Sequence, residues 1–241
     1  MARRRIVLIS DSHVTSGCQG EADFRAMLEL LSGTDFDILF LGDIMDLWIA
    51  KDGYEDALQQ WFMEWCKAEK SRRSIVFVEG NHEFFVADRY DGVIGTVRKN
   101  SFLDGALYCE HGHNILGRSL GFNRLFIAFC KSAFSSFILN VLPCGQRLAL
   151  WVKRRFGSNG RTFFSGVPDD IVCAWAEHAA VQTGAKDIFI GHFHNARHFS
   201  LSNDVILKVL PAWKNNQEVM VFEPDSRRTV VCNWRELVSH F

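Results

Sequence analysis

The sequence predicts an α/β fold, a four-layer α/β/β/α sandwich with a helical insertion. Two observations carry this. Short apolar runs that end in polar, Gly-containing punctuation alternate with helical patterns, as buried strands feeding loops do. The tail then turns β-rich, which supplies the extra strands of a second sheet. At 241 residues the chain suits one domain, 1–241, and is long enough to bury a sizeable core.

The elements follow in order. Residues 6–10, 37–41, 75–79, 106–110 and 187–190 are the apolar runs and predict strands. Between them, residues 21–32, 54–70 and 168–182 show helical spacing; Pro168 with Asp169 and Asp170 suits a first helical turn. Residues 205–210, 219–222 and 229–232 predict further strands, separated by turn-like Asn215-Asn216 and Pro224-Asp225. Met1–Arg5 followed by an apolar run superficially resembles an export leader. The run is too short, and Asp11 and His13 interrupt it at once, so it is read as the first strand and the expected location is the cytoplasm.

Hydrophobic residues make up 48% of the chain and the formal net charge is −1, a globular balance that points to no particular partner. The 7 cysteines are odd in number and form no CxxC pair, which argues against a disulfide framework and a zinc ribbon. Residues 114–168 stand apart. They hold Arg118, Arg124, Lys131, Arg147, Lys153, Arg154, Arg155 and Arg161 but no Asp or Glu. With the chain at −1 and this stretch at +8, the remainder carries −9. The stretch is also rich in Phe, and it predicts an inserted, basic, apolar helical lid.

Polar clusters follow the predicted strands: Asp11-Ser12-His13, Gly42-Asp43-Ile44-Met45-Asp46, Gly80-Asn81-His82-Glu83, His111-Gly112-His113 and Gly191-His192-Phe193-His194. This places all of them at one edge of a sheet, where α/β folds build their sites. Carboxylate, imidazole and amide oxygen together suit divalent ions such as Mn2+, Zn2+ or Fe2+. In an extended segment residues i and i+2 share a side, so Asp11 with His13, and His192 with His194, are expected to aim at one place each. Asp43 has two oxygens with which to bridge two ions. A single such cluster would be an ordinary solvated loop; five in this order are not readily explained as coincidence.

These clusters resemble the five signature motifs of the calcineurin-like metallophosphoesterases: Asp-x-His, Gly-Asp-x-x-Asp, Gly-Asn-His-Asp/Glu, His, and Gly-His-x-His. The match runs from Asp11 to His194 with no ligand position missing. The resemblance implies two divalent metal ions, Mn2+ in the first place. One would be held by Asp11, His13, Asp43 and His194, the other by Asp43, Asn81, His111 and His192. Asp43 and His82 become the catalytic residues, with Asn81 and His82 facing the phosphate and His82 placed to protonate the leaving group. Asp46 is expected to orient a ligand histidine, and His113 to lie outside the ligands or touch substrate. Paired ions lower the pKa of water and neutralise charge building on phosphoryl oxygens, so the reaction expected is phosphate ester or anhydride hydrolysis.

Three finer features resemble the UDP-2,3-diacylglucosamine hydrolases of lipid A biosynthesis: Trp48 just after the Gly-Asp motif, the insert between His113 and His192, and the late Ala212-Trp213. That resemblance implies cleavage of a lipid-linked nucleotide at its pyrophosphate. Lys153, Arg154, Arg155 and Arg161 would bind its phosphates, while Phe126, Phe129, Phe134 and Phe137 meet the acyl chains. Peripheral contact with the cytoplasmic face of the inner membrane fits a basic amphipathic insert, and no nucleic acid partner is expected. The chain departs from those hydrolases at His82-Glu83, where they carry Arg-Asp, and at His113, where they tend to have Asp. A membrane span over 125–142 is not expected, because Lys131 interrupts it and the motifs on both sides must meet in one aqueous site.

Overall fold

A computed structural model of the chain describes residues 3–115, 131–132 and 169–240. The predicted lid, 114–168, and with it Lys153, Arg154, Arg155 and Arg161 and the Phe residues of the acyl groove, falls outside them except for its first residues and Lys131-Ser132.

In chain order the elements are β1 (Ile6–Ile9), α1 (Glu21–Ser32), β2 (Asp37–Leu41), β3 (Trp48–Ile49), α2 (Ala57–Glu69), β4 (Ile75–Val78), β5 (Glu83–Phe84), α3 (Val86–Tyr90), β6 (Thr96–Arg98), β7 (Ser101–Asp104) and β8 (Leu107–Glu110). After the insert come α4 (Asp169–Thr183), β9 (Asp187–Ile190), β10 (Arg197–Ser200), β11 (Ile206–Val209), α5 (Trp213–Asn216), β12 (Glu218–Glu223), β13 (Arg228–Asn233) and α6 (Leu237–His240). One sheet runs β13-β12-β1-β2-β4-β6 and a second runs β10-β11-β9-β8-β7, with β3 and β5 a separate short pair. In the first sheet β1, β2, β4 and β6 pair in parallel, as do β8, β9 and β11 in the second.

The four layers follow from alternation along strands that are apolar on both faces. On the outer face of the first sheet, Val7, Ile9, Ile38, Phe40 and Phe77 pack against Phe24, Met27 and Leu31 of α1 and Phe62 of α2. The intervening Leu8, Leu39, Leu41, Val76 and Val78 turn inward to meet Cys109, Phe189 and Leu210 of the second sheet. The far face of that sheet, Ile188, Ile190, Leu207 and Val209, is covered by Val172, Ala176 and Ala179 of α4. Each large side chain buried this way contributes about 2 kcal/mol. Helix α2 starts at Ala57 because Asp56 and Gln59 cap it reciprocally: the Asp56 carboxylate accepts from the Gln59 N–H at 2.9 Å, and the Gln59 amide oxygen accepts from the Asp56 N–H at 3.0 Å.

Five strands escape the sequence reading: β3 and β5 are only two residues long, while β6, β7 and β10 are partly exposed and make no apolar run. The Asn215-Asn216 pair belongs to the short helix α5 rather than to a turn. Both tryptophans of the finer resemblance lie in the core. Trp48 is fully buried against Phe62, Phe77 and Tyr90. Trp213 meets Phe24 edge-on at 5.6 Å and donates its indole N–H to Met27 Sδ at 3.1 Å. Among the described residues, no helix is long and apolar enough to cross a membrane.

Candidate metal centre

The polar clusters do not sit at one edge of one sheet. Asp11, Asp43 and Asn81 follow β1, β2 and β4 of the first sheet, while His111 and His192 follow β8 and β9 of the second. The centre forms because the two sheets pack face to face and bring their strand ends together.

The ligand segments are also not extended. Asp11 (φ 53°), His13 (φ 46°), Asp43 (φ 52°), His192 (φ 68°) and His194 (φ 57°) all occupy the left-handed region. A non-glycine residue there costs on the order of 1 kcal/mol or more, and such strain gathers at functional sites. The tight turns separate neighbours in sequence: His192 and His194 join different groups. Asp11, His13 and His194 offer ligand atoms within 4.8 Å of one another, as do Asp43, His111 and His192. His13 also groups with Asp46 and His82.

Backbone N–H groups from opposite loops orient both carboxylates. Asp11 Oδ2 accepts from Ser10 Oγ at 2.6 Å and from the His192 N–H at 2.9 Å, which leaves Oδ1 facing His194 Nε2 at 3.0 Å. Asp43 Oδ1 accepts from the His82 N–H at 2.9 Å. Its Oδ2 stands between the groups, 3.3 Å from His111 Nε2, 3.7 Å from His13 Nε2 and 3.9 Å from His82 Nε2. Asp43 Oδ2 thus lies between the two ligand sets. Close approach needs glycine: a Cβ on Gly80 would fall 2.2 Å from Asp43 Oδ1, and one on Gly191 would fall 2.1 Å from Ser10 Oγ.

The residues fit a pair of divalent ions. Among the described residues, His13 Nε2 and Asn81 Oδ1 are buried without a hydrogen-bond partner, an expensive state unless a cation meets them. The His111 ring has a fixed tautomer: its Nδ1 lies 2.8 Å from the Leu41 carbonyl, which can only accept, so Nδ1 carries the hydrogen and Nε2 points toward Asp43. Burial works against the charged form of His111, yet Asp43 and Asp11 prevail and raise its pKa to about 10. The carboxylates thus demand a cation, and that proton has to leave before an ion binds. Burial likewise opposes charge on Asp11 and Asp43, but the His194 hydrogen bond and the His111 field hold Asp11 low, and His111 and His82 hold Asp43 well below the ordinary carboxylate range. Burial brings His13 and His192 down to about 4, leaving them neutral donors near neutral pH.

His82 lies on the His13 side, with ring centroids 4.7 Å apart. Asp46 orients it through the backbone: the Asp46 carbonyl is 2.5 Å from His82 Nδ1 and can only accept, which turns Nε2 toward Asp43. Burial lowers the His82 pKa, but Asp43 and the Asp46 carbonyl outweigh it and leave it raised. With 33% of its side chain exposed, His82 can be reached from solvent. His113 flanks the other group, 5.6 Å from the His111 ring, and burial together with the His111 and Lys131 charges pushes it down to about 2.

Several residues of the centre carry no signal of their role in the sequence. Ser10 looks like a strand end, yet it fixes Asp11. Glu83, read only as part of a motif, is fully buried and accepts the N–H groups of Asp43, Ile44 and Gly80 at 2.8 Å each and of Met45 at 3.3 Å. Burial and the neighbouring Asp43 raise its pKa to about 7. It ties the Gly42–Asp46 and Gly80–Glu83 loops together. Glu83→Ala leaves those donors without an acceptor, at about 1–3 kcal/mol for each one that water cannot reach. Thermal or urea denaturation of the variant is expected to show at least about 3 kcal/mol of lost stability, with metal content reduced; an unchanged midpoint would refute this role.

Two carboxylates, four imidazoles and an amide oxygen, converging from two sheets with a reachable histidine beside them, define a metal-dependent phosphoester hydrolase. The chain belongs to the calcineurin-like phosphoesterase family, which it matches over residues 4–212. It is similar to a predicted phosphoesterase from Streptococcus pneumoniae TIGR4, with 14% identity, a TM-score of 0.46, and 98% of this chain and 92% of that one covered. It is also similar to Vacuolar Protein Sorting 29 from Cryptosporidium parvum (12% identity, TM-score 0.46, coverage 96% and 97%) and to the Pseudomonas putida nuclease MPE (12%, 0.40, 94% and 87%). No curated protein matches the chain significantly.

Proposed function

We propose that the chain cleaves the pyrophosphate of a lipid-linked nucleotide, UDP-2,3-diacylglucosamine or a similar molecule, yielding UMP and 2,3-diacylglucosamine 1-phosphate. The observation that supports this reading is Lys131. It belongs to the basic, apolar insert, and its Nζ donates to the Gly80 carbonyl at 2.6 Å and lies 3.4 Å from Glu79. A residue of the insert therefore stands beside the loop that carries Asn81 and His82. An anionic lipid needs cations for its phosphates and an apolar surface for its tails, and the insert's composition offers both. The buried Trp48 and Trp213 pack the core and add no argument for substrate.

Asp11, His13, His194 and the Asp43 Oδ2 would hold one ion, and Asp43, Asn81, His111 and His192 the other. When bound, the pair supplies Lewis acidity and an activated water near neutral pH. This chain's own contribution is to aim His82 Nε2 at the reacting phosphate, where it stabilises charge and hands a proton to the departing oxygen.

The general His82-Glu83 form of the motif favours a second reading, a soluble nucleotide or small phosphodiester. Release of UMP from UDP-2,3-diacylglucosamine in mixed micelles, set against the same UDP-sugar without acyl chains, separates the two. The lipid reading expects kcat/KM at least about a hundredfold higher with acyl chains, roughly 2.7 kcal/mol of barrier, and a loss of that advantage in Arg154→Glu or Arg155→Glu. Equal rates on both substrates would overturn it in favour of the soluble one.

A further inference from the structure

Two lysines stand near the metal centre, and they differ in one respect. Lys131 is already engaged: Glu79, buried at the end of β4, faces its ammonium, and the Gly80 carbonyl accepts from it. Lys214 is not. It is exposed, and among the described residues no carboxylate lies within ion-pair distance of it.

Its place is nonetheless fixed against the first ligand loop. The Trp213 N–H donates to the Ser10 carbonyl at 3.0 Å and the Lys214 N–H to the Asp11 carbonyl at 3.2 Å, so α5 is pinned to the segment that bears Asp11 and His13. Trp213, buried under that turn, anchors it from the core side. The Lys214 charge is close enough to interact with Asp11, Asp43 and Asp46, and it disfavours the protonated form of His13. A cation on a turn pinned to the Asp11 loop, with no carboxylate among the described residues within ion-pair distance, is available to an anion of the substrate.

The anion it suits is not the phosphate under attack. That group would sit over the ligand sets, beside Asn81 and His82. Lys214 is exposed and lies beside the Asp11 loop, so it would meet the next charged group along the substrate.

We propose that Lys214 is a specificity-determining residue that binds a second phosphate adjoining the scissile one, selecting pyrophosphate-linked substrates over singly charged diesters. The proposal rests on the pyrophosphate reading above but needs nothing from acyl chains. A lysine acts here as a point charge, so Arg should substitute for it where a neutral residue cannot.

The test uses the metal-loaded enzyme with the free divalent ion held constant, and measures equilibrium affinity for UMP and UDP by calorimetry. Lys214→Ala is expected to weaken UDP at least about tenfold and UMP by about threefold or less, with metal content and melting temperature unchanged. Lys214→Arg should bring UDP affinity back to within about threefold of wild type. The KM for a UDP-sugar should rise with the same selectivity relative to bis(p-nitrophenyl) phosphate. Equal weakening of UMP and UDP, no weakening of either, or loss of metal in Lys214→Ala would overturn the proposal. A lipid substrate could fail in the micelle assay while this UDP-versus-UMP difference persists, so the two failures are distinguishable.

Discussion

Asp43→Asn is expected to lower kcat/KM on a generic phosphodiester by at least about a thousandfold, near 4 kcal/mol of transition-state stabilisation, and to reduce metal content below two ions per chain. The reason is the position of one oxygen. Asp43 Oδ2 lies within 4 Å of His111, His13 and His82, so both ligand sets depend on it. The amide retains an acceptor for the His82 N–H but can present an NH2 group to the imidazoles, and it carries no charge to balance two cations. The fold should survive, because the hydrophobic contacts of Leu41 and Ile44 are untouched. Metal content by elemental analysis and turnover on bis(p-nitrophenyl) phosphate decide the matter. Activity within about tenfold of wild type, with both ions retained, would remove Asp43 from the bridging position.

His82→Ala is expected to separate chemistry from metal binding. Turnover should fall by about a hundredfold or more, the usual loss for a positioned acid or charge stabiliser, while metal content stays at the wild-type level. The geometry motivates this split. His82 Nδ1 is committed to the Asp46 carbonyl, its Nε2 is 3.9 Å from Asp43 Oδ2, and a third of the side chain is exposed. Loss of the acid should hurt substrates with poor leaving groups more than those releasing nitrophenolate, which departs without a proton. A variant that instead lost an ion would make His82 a ligand, and the group it forms with His13 and Asp46 a metal site.

Much of the layered fold was legible because the strands that build it are apolar on both faces. Runs such as Ile38–Leu41 have no alternative to burial, and the period of two within them divides α-helix contacts from sheet contacts. Strands β6, β7 and β10 were not legible, since their partly exposed residues pair through backbone hydrogen bonds that leave no mark on composition. Trp48 and Trp213 are core residues. They carried the finer resemblance to the UDP-2,3-diacylglucosamine hydrolases, while packing against Phe62 and Phe24 accounts for them.

For the centre, sequence alone determined which side chains bring metal-ligating chemistry to strand ends: Asp11, His13, Asp43, Asn81, His111, His192 and His194. The family resemblance also implied how they divide into two sets, and the groups Asp11, His13, His194 and Asp43, His111, His192 agree with it; the local backbone that achieves this was not legible. The expectation of extended Asp-x-His and His-x-His segments gives way to left-handed turns, which send His192 to the His111 group and His194 to Asp11. Glu83 and Ser10 acquire their roles only when loops from different strands come within hydrogen-bond distance. Lys214 is held beside the Asp11 loop, from a helix far along the chain, by backbone hydrogen bonds of Trp213 and Lys214 to Ser10 and Asp11. The physical reason is the range of each interaction. Hydrophobic periodicity and ligand type are properties of neighbours along the chain, whereas orientation of a donor depends on groups that only the packing of one sheet on another brings together.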